Sequence, residues 1–394
     1  MNDVIAARVS GARLRRLRVA QGLSQATVAE ATGIATGSIS ALESADGTVG
    51  PATLRRLADL LGCEPDYLQS TQPELTATAP RLRAYADAPE KVVERAIADA
   101  TTAVQAARNM RFRFVRDSLP LFNDDLADDF AIEAWAGEVR AAADLDTGGP
   151  INNVIRAAER MGCIVLPMDS ELGRHLGLSL RVDDLPIIRV SRSARQPEHA
   201  IPGDRQRFTV AHELGHLVLH HSNRRPSSPE EAKRLEKQAH RFAAAFLVPG
   251  DSLMHDLNGL GERVTLRTLT ALKEKWGYAV KAFVVRFQQL GVIGDDQARS
   301  LHKQISARGW NKHEPVFVGT ESAVWYAKAV ARAAGKEDQQ SFVRHVARLE
   351  NPWIKRWTDW SPVDWTASIE PKEHEAEPAL ADLLTFPPQR SSAW

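Results

Sequence analysis

The chain of 394 residues contains only two cysteines, Cys63 and Cys163, a hundred positions apart. So sparse a pair supplies neither a disulfide framework nor a thiolate metal cage, and both read as small buried hydrophobes of different domains. No run of eighteen apolar residues occurs, which argues against a membrane-spanning helix. The opening stretch MNDVIAARVSGARLRRLR lacks the apolar core and small-residue cleavage site of a secretory signal, so a cytoplasmic location is expected. Charge of one sign is missing too, since fifty basic residues balance fifty acidic ones. Any nucleic-acid binding must therefore rest on a local surface. What is present is ordinary for a globular protein, 43% hydrophobic and 25% charged, and the length suggests two or three domains, each able to bury a core.

Glycine and proline divide the stretch from Ser10 to Leu68 into GARLRRLRVAQG, SQATVAEATG, TGSISALE and PATLRRLADLLG, a compact all-helical unit. TQPELTATAP, from Thr71 to Pro80, has linker composition and marks a boundary. Residues 81–145 carry alanine-rich amphipathic runs, EKVVERAIADATTAVQAARNM and AIEAWAGEVRAAADL, expected as a helical connector. GPINNVIRAAERMG then predicts a helix ended by Gly162, CIVLPM a short buried strand, and GLSLRVDDLPIIRVS a hairpin turning at Asp183 and Asp184. Further on, Ser228, Pro229 and Glu231 form a capping-box start for a helix reaching Val248. The expected fold class is α+β and mostly helical. Its units are an all-α domain over 1–70, a connector over 71–145, a domain with a small sheet over 146–300, and a helical Trp-rich region over 301–394 with a mobile tail from about Lys372.

AHELGHLVLHH places His212 and His216 four apart, on one helix face, where two imidazoles can reach one Zn²⁺. Glu213, rotated about a quarter turn away, is badly placed to be a third ligand but can reach water at the metal, the position of a general base. The following helix, EKQAHRFAAAFLVP, offers Glu236. Two histidines and one glutamate leave a fourth tetrahedral position open, which is a catalytic rather than a structural arrangement.

These residues resemble the ImmA/IrrE family of bacterial metallopeptidases. The resemblance rests on Arg207, Phe208 and Thr209 leading into the motif, on Leu219-His220 trailing it, and on Glu236, Ala239, Phe242 and Ala243 before Pro249, and it covers about residues 150–295. It implies a zincin-like fold, Glu236 as third ligand, and protein substrates, often transcriptional repressors. One position departs from the family, which usually has asparagine where this chain has His240; that histidine is either a supporting partner of the ligands or an alternative ligand. His220 shares the face of His212 and His216 and is expected to support the site or to pack structurally.

At the N-terminus Ser24 caps a helix, Gly33 makes a turn, and the next helix, Ala35 to Glu43, turns Ile39 and Leu42 inward, the spacing of a helix-turn-helix. Residues 10–70 resemble the Cro/Xre-type DNA-binding family in Gly22-Leu23-Ser24-Gln25, Ala29, Gly33, Ile39-Ser40, Glu43 and Pro51. By that resemblance Gln25 anchors to phosphate or a base edge of duplex DNA, and Thr36, Gly37, Ser38, Ser40 and Ala41 lie on or near the major groove. Arg13, Arg15, Arg16 and Arg18 read as a basic stripe for the phosphate backbone. Yet short side chains on the reading helix give weak base readout, and residues 1–70 balance seven arginines against seven acids. The alternative is a helix-turn-helix kept as a homodimer or protein-docking module.

Trp353, Trp357 and Trp360, spaced by four and three, suggest one helix face that serves as a core or docking surface. Arg108, Arg111, Arg113 and Arg116 read as a solvated helix face. The whole reads as a DNA-binding regulator with a zinc-dependent endopeptidase unit that cleaves a repressor or itself. The competing expectation is a non-proteolytic repressor, or a toxin–antitoxin component, whose peptidase-like unit senses metal or ligand.

Overall fold

In the computed structural model, which describes residues 7–78, 90–122, 128–168, 176–195, 200–220 and 226–363, helix starts follow the side chains that can cap them. Ser10 and Ser24 accept hydrogen bonds from the Arg13 and Thr27 N–H groups and open α1 (Gly11–Ala20) and α2 (Gln25–Thr32). Gly33, at φ +68°, ends α2 in a left-handed turn that disfavours any side chain, and releases the chain into α3 (Thr36–Ser44). Prolines start α4 (Pro51–Leu61) and α5 (Pro65–Gln69) at positions where a missing N–H does no harm. Ile39 and Leu42 are buried, as the periodicity predicts. The unit is not purely helical, however. β1 (Ala7–Val9) and β2 (Gly47–Val49) clip together as an antiparallel ribbon, each too short for alternation to show in the sequence.

α6 (Glu90–Asn109) runs along α1 and is lined with buried alanines at 96, 100, 103, 106 and 107, whose small side chains allow close packing on several sides. It ends before the arginine run completes. Arg111 takes φ +54° just past the helix, so Arg108, Arg111, Arg113 and Arg116 do not form a single helix face. The stretch with linker composition is also firmly held. Glu74 pairs with Arg13 and Arg16, Thr76 and Asp183 exchange hydrogen bonds, and Ala77 bridges to Val182. A polar, proline-containing segment thus satisfies edge groups of the hairpin rather than swinging free.

After α7 (Asp129–Ala142) and α8 (Val154–Arg160) come β3 (Ile164–Met168), β4 (Gly177–Val182) and β5 (Leu185–Ser191). Their order is β3-β5-β4, with β5 parallel to β3 and antiparallel to β4. The hairpin turns at Asp183, φ +48°, as expected. The sheet is covered on both faces, so its strands read as nearly unbroken apolar runs. Val165, Ile188 and Val190 enter one core, with α9 (Gly203–Leu219), α10 (Pro229–Leu247), α11 (Gly250–Gly259), α12 (Leu266–Trp276), α13 (Val280–Gln289) and α14 (Asp295–Ala307). Ile164, Leu166, Leu178, Leu180 and Ile187 enter a second, shared with α1 to α6.

That second core also takes in α15 (Trp325–Ala334), α16 (Gln339–Phe342), a π-helical turn (Val343–Ala347) and α17 (Asn351–Thr358), so it crosses the boundaries expected near residues 70, 145 and 300. Trp353 and Trp357 share the buried side of α17. Trp353 donates its Nε1–H to the Leu61 carbonyl at the end of α4, and Trp357 donates to Asp99 of α6. Trp360 lies past the helix and packs against the first core instead. Trp365, Trp394 and the tail from Lys372 fall outside the described residues. The architecture is mostly helical α+β, and among the described residues no helix is long and apolar enough to cross a membrane.

Candidate metal centre

Small residues bring α9 and α10 together. A Cβ on Gly215 would sit 2.9 Å from the Phe242 ring and 3.3 Å from the Ala239 carbonyl oxygen, so glycine on one helix faces alanine and phenylalanine on the other. The close approach places Glu236 of α10 beside His212 and His216 of α9. Their Nε2 atoms are 3.1 Å apart, and each lies 3.4 Å from a different Glu236 carboxylate oxygen, His212 from Oε2 and His216 from Oε1. Donors around a tetrahedral zinc ion, at roughly 2.0–2.1 Å, stand roughly 3.3 Å from one another. The two imidazole nitrogens already stand about that far apart with the carboxylate spanning them, the donor types suit zinc, and three ligands would leave a fourth corner over. Among the described residues this is the cluster that could hold a metal ion. Burial pushes the Glu236 carboxyl up, but the two imidazoles beside it outweigh this and hold it well below the usual carboxylate range, so it is anionic.

Glu213 follows His212 and turns the other way, toward β4. Its side chain is 3% exposed, and its Oε2 accepts a 2.7 Å hydrogen bond from the hydroxyl of Ser179. Gly177, two residues earlier on that strand, makes this approach feasible, because a Cβ there would lie 2.6 Å from Thr209 and 3.1 Å from Glu213. Burial raises the Glu213 carboxyl to about 7, against the opposing pull of His212 and of the Ser179 hydrogen bond. Nothing in the sequence pattern singles out Ser179, which reads there as one residue of a hairpin.

His220 and His240 take different places. His220 Nδ1 lies 3.0 Å from His216 Nδ1, behind the ligand set, and its Nε2 lies 3.0 Å from Gln238 Oε1. His240 Nδ1 donates to the Glu236 carbonyl at 2.8 Å, and its ring stands edge-on to that of His212, 4.5 Å between centroids. It is not part of the three-donor cluster. Burial lowers its pKa to about 4, with the charge of His212 adding to the effect, so this imidazole is neutral. The capping box at α10 is shifted: Ser228 accepts from the Glu231 N–H, while the Glu231 carboxylate reaches Ser227.

Residues 158–288 match the family model described as IrrE N-terminal-like domain. Residues 14–68 match a Helix-turn-helix model, in the order the sequence implies. No curated protein matches the chain. Together the two matched units are those of a DNA-binding regulator carrying a metallopeptidase-like domain.

Within the helix-turn-helix match, Thr36, Gly37, Ser38, Ser40 and Ala41 are all exposed along α3. The arginine stripe is another matter. Arg13 is 1% exposed and bonded to the Gln72 carbonyl and Glu74, Arg16 is 8% exposed and bonded to Glu74 and Tyr67, and Arg18 chelates Glu43. Gln25 also donates to Glu43, at 2.8 Å, rather than standing free at the start of α2. Arg15 alone of the four arginines keeps an exposed side chain, 3.7 Å from Glu94. Counting arginines could not reveal this, because the acids that bind them, Glu43 and Glu74, lie 25 and 58 residues away from Arg18 and Arg16.

Proposed function

We propose that the chain is a DNA-binding regulator whose metallopeptidase-like unit is a zinc-dependent endopeptidase, with His212, His216 and Glu236 holding the metal and Glu213 as general base. The observation that carries this is the clustering of two imidazoles and one carboxylate, with ligand atoms within 4.8 Å of one another, beside a buried carboxylate that is not one of them. When bound, zinc supplies a Lewis acid that acidifies water and polarises a peptide carbonyl.

The chain's own residues do the rest. Ser179 occupies Glu213 Oε2, which leaves Oε1 to take the proton of the attacking water. A carboxyl raised above its usual range by burial is suited both to accept that proton and to return it to the departing amide nitrogen. The buried setting of Glu213 keeps bulk water from competing for it.

The substrate class is protein, either a transcriptional repressor or the chain itself. A helix-turn-helix in the same chain would raise the local concentration of the peptidase near a DNA-bound target. Thr36, Gly37, Ser38, Ser40 and Ala41 would face the major groove with short side chains, so sequence discrimination by direct contact would be weak.

Incubation of the purified full chain, with and without zinc, alongside repressors encoded next to it is the direct test, with Glu213→Gln as control. Zinc-dependent cleavage that falls at least about a hundredfold in the variant, with zinc content and DNA binding retained, is the expected result. Equal cleavage by the variant, or none by the zinc-loaded wild type, would overturn the reading.

A further inference from the structure

We propose that His220 and Gln238 are positioning residues which fix the tautomer of His216 and thereby aim its Nε2 lone pair at the metal; this rests on the zinc reading above. A neutral imidazole has one N–H and one lone pair, so a ring that ligates through Nε2 must carry its proton on Nδ1. That N–H is buried in His216, 3% exposed, and its neighbour is His220 Nδ1 at 3.0 Å. To accept, His220 must leave Nδ1 bare and carry its own proton on Nε2. There the Gln238 amide oxygen waits, 3.0 Å away, to receive it. Donation therefore runs one way, from His216 through His220 to the amide oxygen of Gln238. The opposite assignment puts a proton on His216 Nε2, where it blocks ligation, and leaves the bare Nε2 of His220 facing an oxygen lone pair.

The elements explain why these two residues can do this. His220 sits one turn past His216, at the C-cap of α9, where the backbone leaves helical geometry (φ −123°, ψ 43°). Gln238 lies two positions after Glu236 on α10, so one helix supplies both the third ligand and the end of the chain that orients the second. His220 is 2% exposed and Gln238 6%, which removes water as a competing partner. Of the two histidines His216 alone is braced in this way, because among the described residues the buried Nδ1 of His212 meets no hydrogen-bond partner. Groups that hold the far nitrogen of a ligating histidine typically alter metal affinity by roughly 10–100-fold.

The full-length chain, labelled with ¹⁵N-histidine, provides a direct readout through long-range ¹H–¹⁵N correlations that distinguish the two tautomers. In the zinc-loaded wild type His216 is expected as Nδ1–H and His220 as Nε2–H; a His220 signal of the Nδ1–H form would overturn the proposal. Zinc affinity by chelator competition gives a second readout. His220→Phe should weaken binding on the order of 10–100-fold, and Gln238→Leu should weaken it less. The double variant should be no worse than His220→Phe alone, since Gln238 acts through His220. Additive losses would instead mean two residues that merely pack. Should His220→Phe fail to fold, Gln238→Leu and the wild-type tautomers still decide. Wild type that takes up no zinc would sink the functional reading and the bracing with it, whereas zinc affinity unchanged in both single variants would sink the bracing alone.

Discussion

Ser179 on β4 and Glu213 on α9 are joined by a 2.7 Å hydrogen bond between two buried side chains, so an edge strand of the sheet holds the residue that follows His212 of the candidate metal cluster. The hydroxyl is the donor and the carboxylate the acceptor, which favours the charged form and fixes the direction of the other oxygen. Ser179→Ala should therefore lower cleavage about tenfold, near 1.4 kcal/mol, while leaving zinc content unchanged. Steady-state kinetics with metal analysis on the same preparation is the check. Loss of zinc in step with activity would mean that Ser179 supports the fold of the site rather than the base.

The competing third ligands are separable. Glu236 supplies an anionic carboxylate with one oxygen 3.4 Å from His212 and the other 3.4 Å from His216, whereas His240 has given its Nδ1–H to a backbone carbonyl. Glu236→Ala should abolish stoichiometric zinc binding, and His240→Ala should retain it. The reverse pattern would transfer the ligand role to His240.

Much of the site could be read from the sequence because its chemistry is local. His212, Glu213 and His216 lie within one helical stretch, and Glu236 follows on a helix whose Ala239 and Phe242 pack closely on Gly215. The hairpin was equally legible, since Asp183 and Asp184 separate a pair of apolar, strand-forming runs. Partners distant in sequence were not. Ser179 meets Glu213 across 34 positions, Gln238 meets His220 across 18, and no periodicity links them. Arg13, Arg16 and Arg18 misled for the same reason, because the burial of the first two depends on Glu74, in a stretch whose composition suggested a loose linker, and Arg18 is held by Glu43.

Withdrawal of those arginines changes what DNA binding should look like. Arg16 serves Glu74 and Tyr67, so Arg16→Ala should destabilise the protein by roughly 1–3 kcal/mol and leave DNA affinity at fixed salt within about twofold. The logarithmic dependence of affinity on salt should be no steeper than about −4, as Arg8, Arg15, Arg55 and Arg56 are the exposed arginines of residues 7–70 left to meet phosphates. Thermal unfolding and titrations at several salt concentrations measure both. A stable Arg16→Ala protein that no longer binds DNA would restore the phosphate-contact role.

Trp353 offers the sharpest separation of the two cores. It is 3% exposed, stacks at a tilt on Trp357, and closes the end of α4 through Leu61, where the neighbouring Gly62 leaves room for the indole. Around it the Glu64 N–H donates to Arg348, the Glu350 N–H donates to Gly62, and Arg348 pairs with Asp66, so the C-terminal segment grips the helix-turn-helix at several points. Truncation to alanine removes a large buried ring and should cost about 3–5 kcal/mol. Trp353→Phe keeps most of the apolar area and loses the N–H donor, for about 1 kcal/mol. Because the proposed metal ligands lie on α9 and α10, which pack in the other core, the alanine variant should unfold and be proteolysed first in its N-terminal region, losing DNA binding while it still holds zinc. Calorimetry, limited proteolysis and metal analysis on the two variants distinguish the outcomes: simultaneous loss of zinc and DNA binding would show that the two cores unfold as one unit, and an unchanged alanine variant would show that α17 does not hold the DNA-binding unit in place.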